Sequence, residues 1–189
     1  MKTNKIIALI SDIIITLTYI VGGIVVIVLN HHSLESDAKL LGIVIIICAT
    51  LKLIKFIVNQ EYKEGHLLGL GSGIIGLSFG FIFLFSTLDI VHICLLWGLY
   101  EIAFGTIDIV ESLKDRRIAP IEIWTGLISV SEIIFGTLLC IHASRGINEH
   151  LIYIGITLIL TSLGCLARMI YRYIIEPKKE KKQQNQTDA

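Results

Sequence analysis

The sequence predicts an all-α fold, an integral membrane bundle of six transmembrane helices arranged as three parallel helical hairpins. Composition is the first reason, because 54% of the 189 residues are hydrophobic and the mean hydropathy is +0.78, whereas soluble domains are roughly 45–50% apolar. The second reason is length, since the apolar residues form six runs that approach the roughly 20 residues needed to cross a bilayer. The third is a register of glycines that recurs along these runs.

The first two predicted spans carry charges close to one end of the bundle. The first covers about 6–29 and contains Asp12. Its basic start resembles a signal peptide, but the run is too long and has no small-x-small cleavage site, so we expect a retained helix. The second span covers about 38–58 and has Lys52 and Lys55 near its end.

The remaining four spans complete the predicted domain 1–175. The third, about 67–87, contains GLGSGIIGLSFG, which has neither the strand nor the lysine of a nucleotide-binding loop, so we expect no cofactor. The fourth and fifth, about 90–113 and 119–142, are the most interrupted by acids, and the sixth covers about 150–175. The polar tail 176–189 is expected to be disordered and cytoplasmic.

The basic residues predict the orientation of the bundle. With the N-terminus placed in the cytoplasm, 14 of the 16 lysines and arginines fall on the cytoplasmic side, and only Lys39 and Arg145 fall outside. Membrane proteins retain Lys and Arg on the cytoplasmic side of their spans. We therefore expect both termini in the cytoplasm.

The glycine register predicts an internal repeat of one helical hairpin. Successive glycines lie 56 and 57 residues apart in the even-numbered spans, and 58 and 56 residues apart in the odd-numbered spans. The aligned glycines are Gly42, Gly98 and Gly155 in the even spans and Gly22, Gly80 and Gly136 in the odd spans. A two-span unit re-enters the membrane in the same direction each time, so the repeats, at about 6–58, 67–113 and 119–175, should be parallel.

Two acids lie near the middle of the predicted membrane. Glu101 lies 15 residues before Arg116 and Glu132 lies 16 residues after it, so both should reach a similar depth. If they face each other, one is expected to hold a proton, because two close carboxylates cannot both ionise cheaply. Two interpretations remain open, a neutral hydrogen-bonded packing pair and a candidate proton or cation site.

A second set of charges is predicted nearer the cytoplasmic surface. The repeat puts Lys52 and Asp108 at equivalent positions, with Lys55, Glu111 and Arg168 about one turn lower. The candidate intramembrane charge network is Asp12, Lys52, Lys55, Asp108, Glu111 and Arg168. Such charges can form ion pairs that fix the order of the helices, or line a polar conduit or proton relay. Lys55 and Arg168 can also extend to the lipid headgroups.

No catalytic or metal site is predicted, and we expect no enzyme. Each cysteine stands alone in an apolar run, without the cysteine or histidine spacing of a metal site. The cysteines are Cys48, Cys94, Cys140 and Cys165. No nucleophile–base pair is recognisable, and the predicted cytoplasmic loops are too short to build a soluble active site. A net charge of zero indicates no nucleic-acid partner, which leaves the lipid bilayer as the expected partner.

The hairpin repeats resemble the HdeD family of bacterial acid-resistance membrane proteins over about 6–175. The stretches GLYEIAFGTIDIVESL and GIVIIICATLKLIKFI carry the resemblance, with Trp97 and Gly98 followed by Glu101 and then Gly105. The resemblance implies six spans in the bacterial inner membrane and a non-enzymatic role in acid or general stress tolerance. It implies no catalytic residues. Asp12 and the two lysines of the second span match no motif of that family.

Two other functions remain open. The first is a small proton- or cation-coupled transporter or channel that uses Glu101 and Glu132. The second is a structural membrane protein that assembles into a homo-oligomer through its glycine-rich helix faces. The facing of the two glutamates distinguishes them, because a transport site must line a cavity that reaches one surface.

Overall fold

The structure, a computed structural model, consists of helices connected by short segments. It describes residues 2–29, 34–58, 68–114, 120–143 and 147–175, and the predicted tail 176–189 lies outside these ranges. The helices are α1 (Lys2–Leu29), α2 (Leu34–Val58), α3 (Leu68–Phe85), α4 (Ile90–Lys114), α5 (Pro120–His142) and α6 (Ile147–Ile170), and α6 continues into a π-helical turn, Tyr171–Ile175. The prediction of an all-α fold with six helices is confirmed for the described residues.

The ends of two helices follow from local chemistry. Pro120 begins α5, a first-turn position at which the missing N–H of proline has no consequence. Asp89 precedes α4, and its Oδ1 accepts a hydrogen bond from the backbone N–H of His92 at 2.9 Å. This is the bond that an N-cap residue makes to the third residue of its helix.

Five of the described helices are long and apolar enough to cross a bilayer. The third is shorter, with an apolar stretch at Gly69–Phe85. Large apolar side chains, Trp124 and Phe85 among them, point away from the bundle on every helix. A soluble protein rarely exposes such a continuous apolar surface, so the helices indicate a multi-pass membrane protein.

Three pairs of helices cross at glycines, where their backbones come close together. A Cβ added at Gly98 of α4 would lie 2.5 Å from the carbonyl oxygen of Gly136 on α5. The same approach joins Gly42 of α2 to Gly80 of α3, at 2.9 Å. Small residues at such crossings let membrane helices pack closely.

The third crossing joins α1 to α6 and corrects one position of the predicted glycine register. A Cβ added at Gly23 would lie 2.8 Å from the carbonyl oxygen of Gly155, whereas Gly22 meets the side chain of Val44 on α2. The residue of α1 that makes the backbone crossing is therefore Gly23. The sequence could not separate two adjacent glycines, because register depends on which way each one faces.

Aromatic side chains of α4 form the centre of the bundle. Trp97, Tyr100 and Phe104 are buried, and their spacing of three and four residues places them on one face of the helix. The ring centroids of Trp97 and Tyr100 are 5.2 Å apart, and those of Tyr100 and Phe104 are 4.3 Å apart. Phe79 and Phe83 of α3 pack edge-on against this row. The row faces a cavity inside the bundle.

Candidate functional site

A cavity of about 150 Å³ lies inside the bundle, and residues of all six helices line it. Seven of the eight predicted site residues line this one cavity: Asp12, Lys52, Lys55, Glu101, Asp108, Glu132 and Arg168. The side chain of Glu111, the eighth, lies outside the described part of the structure. The carboxyl pair and the charge network, predicted as two layers, therefore border a common space.

An ion pair between α1 and α2 lies at one end of the cavity. Lys55 Nζ donates to Asp12 Oδ1 at 2.7 Å, and both side chains are partly exposed. The hydroxyl of Tyr173 donates to Asp12 Oδ2 at 3.3 Å. Tyr173 belongs to the π-helical turn after α6, so the carboxylate of Asp12 connects three helices.

A second ion pair joins α4 to α6 at the same end of the bundle. Arg168 Nη2 donates to Asp108 Oδ2 at 2.5 Å, and the two side chains are 36% and 16% exposed. Asp108 lies six residues before the end of α4, and Arg168 lies two residues before Ile170. At about 1.5 Å per residue, Lys55 and Asp108 lie within roughly 10 Å of the ends of their helices, and Asp12 lies about 15 Å from the start of α1.

The two glutamates lie deeper, at the middle of the bundle. Glu101 is 3% and Glu132 is 4% exposed. Glu101 precedes the end of α4 by 13 residues, a distance of about 20 Å along the helix. The two carboxyl groups are close enough to interact electrostatically across the cavity.

Each of these glutamates has polar neighbours on α6. Thr161 Oγ1 donates to Glu132 Oε1 at 2.6 Å. The Glu101 carboxyl interacts with the Thr157 hydroxyl and with the indole of Trp97. Trp97 Nε1 itself donates to Thr157 Oγ1 at 3.2 Å. Buried carboxyl groups need such partners, because an isolated one is costly to desolvate.

The third basic residue of the cavity, Lys52, contacts an aromatic ring. Its Nζ lies 4.3 Å from the centroid of the Phe104 ring, within the range of a cation–π interaction. Lys52 is also near enough to Glu101, Glu132 and Asp108 to interact with each electrostatically. The ammonium group therefore lies between the aromatic row and the acids.

The described side chains of the cavity carry more acid than base. Four are acidic, namely Asp12, Glu101, Asp108 and Glu132, and three are basic, namely Lys52, Lys55 and Arg168. If all seven are ionised, one negative charge is left over. A single proton or monovalent cation would neutralise the set.

The aromatic wall of the cavity and the threonine that binds Glu132 were not predicted from the sequence. Trp97, Tyr100 and Phe104 repeat at helical spacing, and this pattern was available as a signal. Nothing distinguishes Thr161 from the other threonines in apolar runs. Its role depends on the packing of α6 against α5, which the sequence does not show.

The described residues contain no group of three or more His, Cys, Asp or Glu side chains arranged to hold a metal ion. The four cysteines are free thiols. Cys48 of α2 lies close to Cys165 of α6, and Cys94 of α4 lies close to Cys140 of α5. Among them, Cys165 also lines the cavity.

Residues 14–85 match a family model described as a short repeat of unknown function (DUF308). The match runs from within α1 to the end of α3, and this repeat is the domain family of HdeD-like proteins. No curated protein and no solved structure matches the chain at a significant level. Together with the apolar helices, the match indicates a multi-pass membrane protein.

Proposed function

We propose that this membrane protein binds a proton or a monovalent cation at Glu101 and Glu132 and exchanges it with one side of the membrane. The observation that carries the proposal is the charge of the cavity, where the described side chains include four acids and three bases. A charge deep in a bilayer costs at least ~2.5–3.5 kcal/mol on insertion scales. The bundle is therefore most stable when one mobile positive charge occupies the cavity.

The arrangement of the charges supports a path to one surface. The Lys55–Asp12 and Arg168–Asp108 pairs are partly exposed, whereas both glutamates are almost fully buried. Polar side chains thus continue from one end of the bundle to its middle. A carboxyl pair with only a structural role would not need polar side chains between itself and the end of the bundle.

The test is cation flux in vesicles that contain the purified full chain. We expect Glu101→Gln and Glu132→Gln each to reduce proton or sodium flux by roughly tenfold or more, because each loses a charged hydrogen-bonding group worth about 1.5–3 kcal/mol. A pH-sensitive dye inside the vesicles reports proton flux, and radioactive sodium uptake reports the alternative ion.

Glu35→Gln is the matched control, because Glu35 is an exposed acid on α2 whose partner is Lys39. Its flux should equal that of the wild type. Equal flux in the wild type and in both cavity variants, at equal protein incorporation, would refute the proposed transport.

The glycine crossings support the finer architecture that we propose, three parallel hairpins related by rotation about the membrane normal. Each crossing joins the second helix of one hairpin to the first helix of the next, and the α6–α1 crossing closes the ring. With Gly23 in place of Gly22, the odd glycines are spaced by 57 and 56 residues, close to the even series. Disulfide trapping of cysteine pairs placed at equivalent crossings would test it, and trapping at only one crossing would argue against a ring.

We place the protein in the bacterial inner membrane with both termini in the cytoplasm. The distribution of lysines and arginines supports this orientation, and it would make the partly exposed end of the cavity cytoplasmic. Reporter enzymes fused to each terminus test the orientation. Activity of a periplasmic reporter at either end would contradict it.

A role in acid or general stress tolerance is the second candidate. The match of residues 14–85 to the repeat of HdeD-like proteins favours it, and a proton-binding cavity would fit such a role. Survival of a deletion strain in acid, equal to that of its parent, would count against it.

Assembly into a homo-oligomer is a third, compatible proposal. The glycines at the three crossings already contact helices of the same chain, so an interface between copies would use other surfaces. Gly71 and Gly126 have nothing within 4 Å of an added Cβ, and they face open space. Light scattering in detergent, corrected for the bound detergent, would give the number of copies.

A further inference from the structure

The cavity has one acidic wall and one aromatic wall. Glu101 and Glu132 contribute the acids, and Trp97, Tyr100 and Phe104 contribute the rings, all lining the same space. Inorganic cations are held by shells of several oxygen ligands, and aromatic rings do not supply such ligands. Organic ammonium ions, in contrast, bind to ring faces through cation–π attraction and are anchored by a carboxylate.

An ammonium group of the chain already makes this contact. Lys52 Nζ lies 4.3 Å from the centroid of the Phe104 ring. Lys55 and Arg168 make ion pairs with carboxylates at 2.7 Å and 2.5 Å. The Lys52 side chain thus stands in for an alkylammonium ion, and it shows that the aromatic wall accepts one.

The size of the cavity limits the ligand. The cavity has a volume of about 150 Å³, and a cavity of that volume holds a molecule of roughly the size of benzene. A small alkylammonium ion fits that volume. A multi-ring cation or a polyamine does not fit within it.

We propose that the cavity binds a small organic ammonium ion, with its charge near Glu101 and Glu132 and its alkyl groups against Trp97, Tyr100 and Phe104. This inference rests on the proposed cation site and adds its ligand class. The ion supplies the one positive charge that the seven charged side chains lack, so it competes with a proton for the same position. Lys52 limits its affinity, because the lysine is a second positive charge beside the same ring.

The test is calorimetric titration of the purified full chain with tetramethylammonium chloride, a compact cation with one non-hydrogen atom fewer than benzene. Sodium chloride at the same ionic strength is the inorganic comparison, and tert-butanol is the neutral molecule of similar shape. We expect saturable binding of tetramethylammonium only. Phe104→Leu should weaken that binding roughly thirtyfold, the value of one desolvated cation–π contact.

Lys52→Met distinguishes a lost ligand contact from a loss of folding. It removes a positive charge beside the ligand, and like charges a few ångströms apart repel each other, so it should strengthen tetramethylammonium binding roughly fivefold or more. A misfolded variant would not bind more tightly. Phe85→Leu is the matched control, because Phe85 is 76% exposed on α3 and does not line the cavity. It should bind as the wild type does.

Three results overturn the inference. Equal binding of sodium and tetramethylammonium, with no effect of Phe104→Leu, would show an inorganic cation site and leave the proposed function standing. Binding of tert-butanol as tight as that of the cation would show an apolar cavity without cation recognition. No binding of either cation, together with flux that ignores Glu101→Gln, would remove both the inference and the proposed function.

Discussion

The contact between Arg168 and Asp108 shows how single residues hold the cavity together. The two side chains come from α4 and α6, and they meet at 2.5 Å. Both are partly exposed, so water or lipid headgroups moderate the interaction. Even so, a charge that loses its counter-ion near a bilayer interior is costly.

Asp108→Asn should therefore destabilise the bundle. Removing one partner of a fully buried ion pair costs about 3–5 kcal/mol, and we expect roughly 1–3 kcal/mol here because of the partial exposure. Thermal unfolding in detergent, followed by helical circular dichroism, measures the effect. Arg168→Gln in the same chain should recover part of the loss, since no uncompensated charge then remains.

Glu35→Gln gives the comparison for a surface pair. Glu35 and Lys39 are paired at 2.6 Å on an exposed face of α2, and exposed pairs contribute little to stability. Its unfolding temperature should equal that of the wild type. If the Asp108/Arg168 double variant were as unstable as the sum of the single variants, the pair would not be coupled.

At the scale of the element, the α4–α5 crossing sets the position of both glutamates. Gly98 lies three residues before Glu101, and Gly136 lies four residues after Glu132. The crossing therefore brings the two carboxyl groups to the same depth. The Glu101 side chain also passes close to Gly136, at 3.0 Å from a Cβ added there.

Gly98→Ala should separate these helices. The added Cβ would lie 2.5 Å from the oxygen of Gly136 and 2.6 Å from Cys140 Sγ. Overpacking of this kind typically costs about 1–3 kcal/mol. We expect a lower unfolding temperature in detergent. We also expect Glu132→Gln to reduce flux less in the Gly98→Ala variant than in the wild type.

Gly126→Ala is the matched control on α5, because nothing lies within 4 Å of its added Cβ. It should preserve stability or raise it by about 0.5–1 kcal/mol, the ordinary advantage of alanine over glycine in a helix. Equal effects of the two substitutions would show that helix propensity, not the crossing, controls stability.

The cap of α4 is sensitive to pH. The hydrogen bond from the His92 backbone N–H holds the pKa of Asp89 below its usual value, which is about 3.9 in an unfolded chain. Because the folded pKa is lowered, the cap contributes stability above the unfolded pKa. That contribution is lost as the pH falls through the folded value.

Asp89→Asn isolates this contribution, because an asparagine oxygen caps a helix without ionising. Below a pH of about 4, the unfolding temperature of the wild type should fall further than that of Asp89→Asn. Parallel pH profiles throughout would show that Asp89 does not cap α4 as an ion.

At the scale of the whole molecule, the features that could be predicted from the sequence are those set by distance along a helix, namely the number of helices and the depth of a residue. The helical fold and its six helices are confirmed in the described residues. The similar depth expected for Glu101 and Glu132 required only counting from a turn. These quantities follow from a rise of about 1.5 Å per residue.

Direction around each helix could not be predicted. The repeat placed Lys52 level with Asp108, yet Lys52 contacts Phe104 and Asp108 binds Arg168. Lys55 binds Asp12, which the repeat does not relate to it. Partners at one depth are chosen by the rotation of neighbouring helices, and apolar runs without a polar face leave that rotation open.

The charges of the cavity form an odd set, and parity has a consequence for engineering. The seven charged side chains that the structure describes in the cavity cannot all be matched in pairs, so the bundle needs a bound proton or cation to reach neutrality. Glu132→Gln leaves three acidic and three basic side chains among them, which balance without a bound ion. A selection for heat resistance would therefore favour substitutions such as Glu132→Gln. The selected variants would lose the binding of a proton or cation in the cavity.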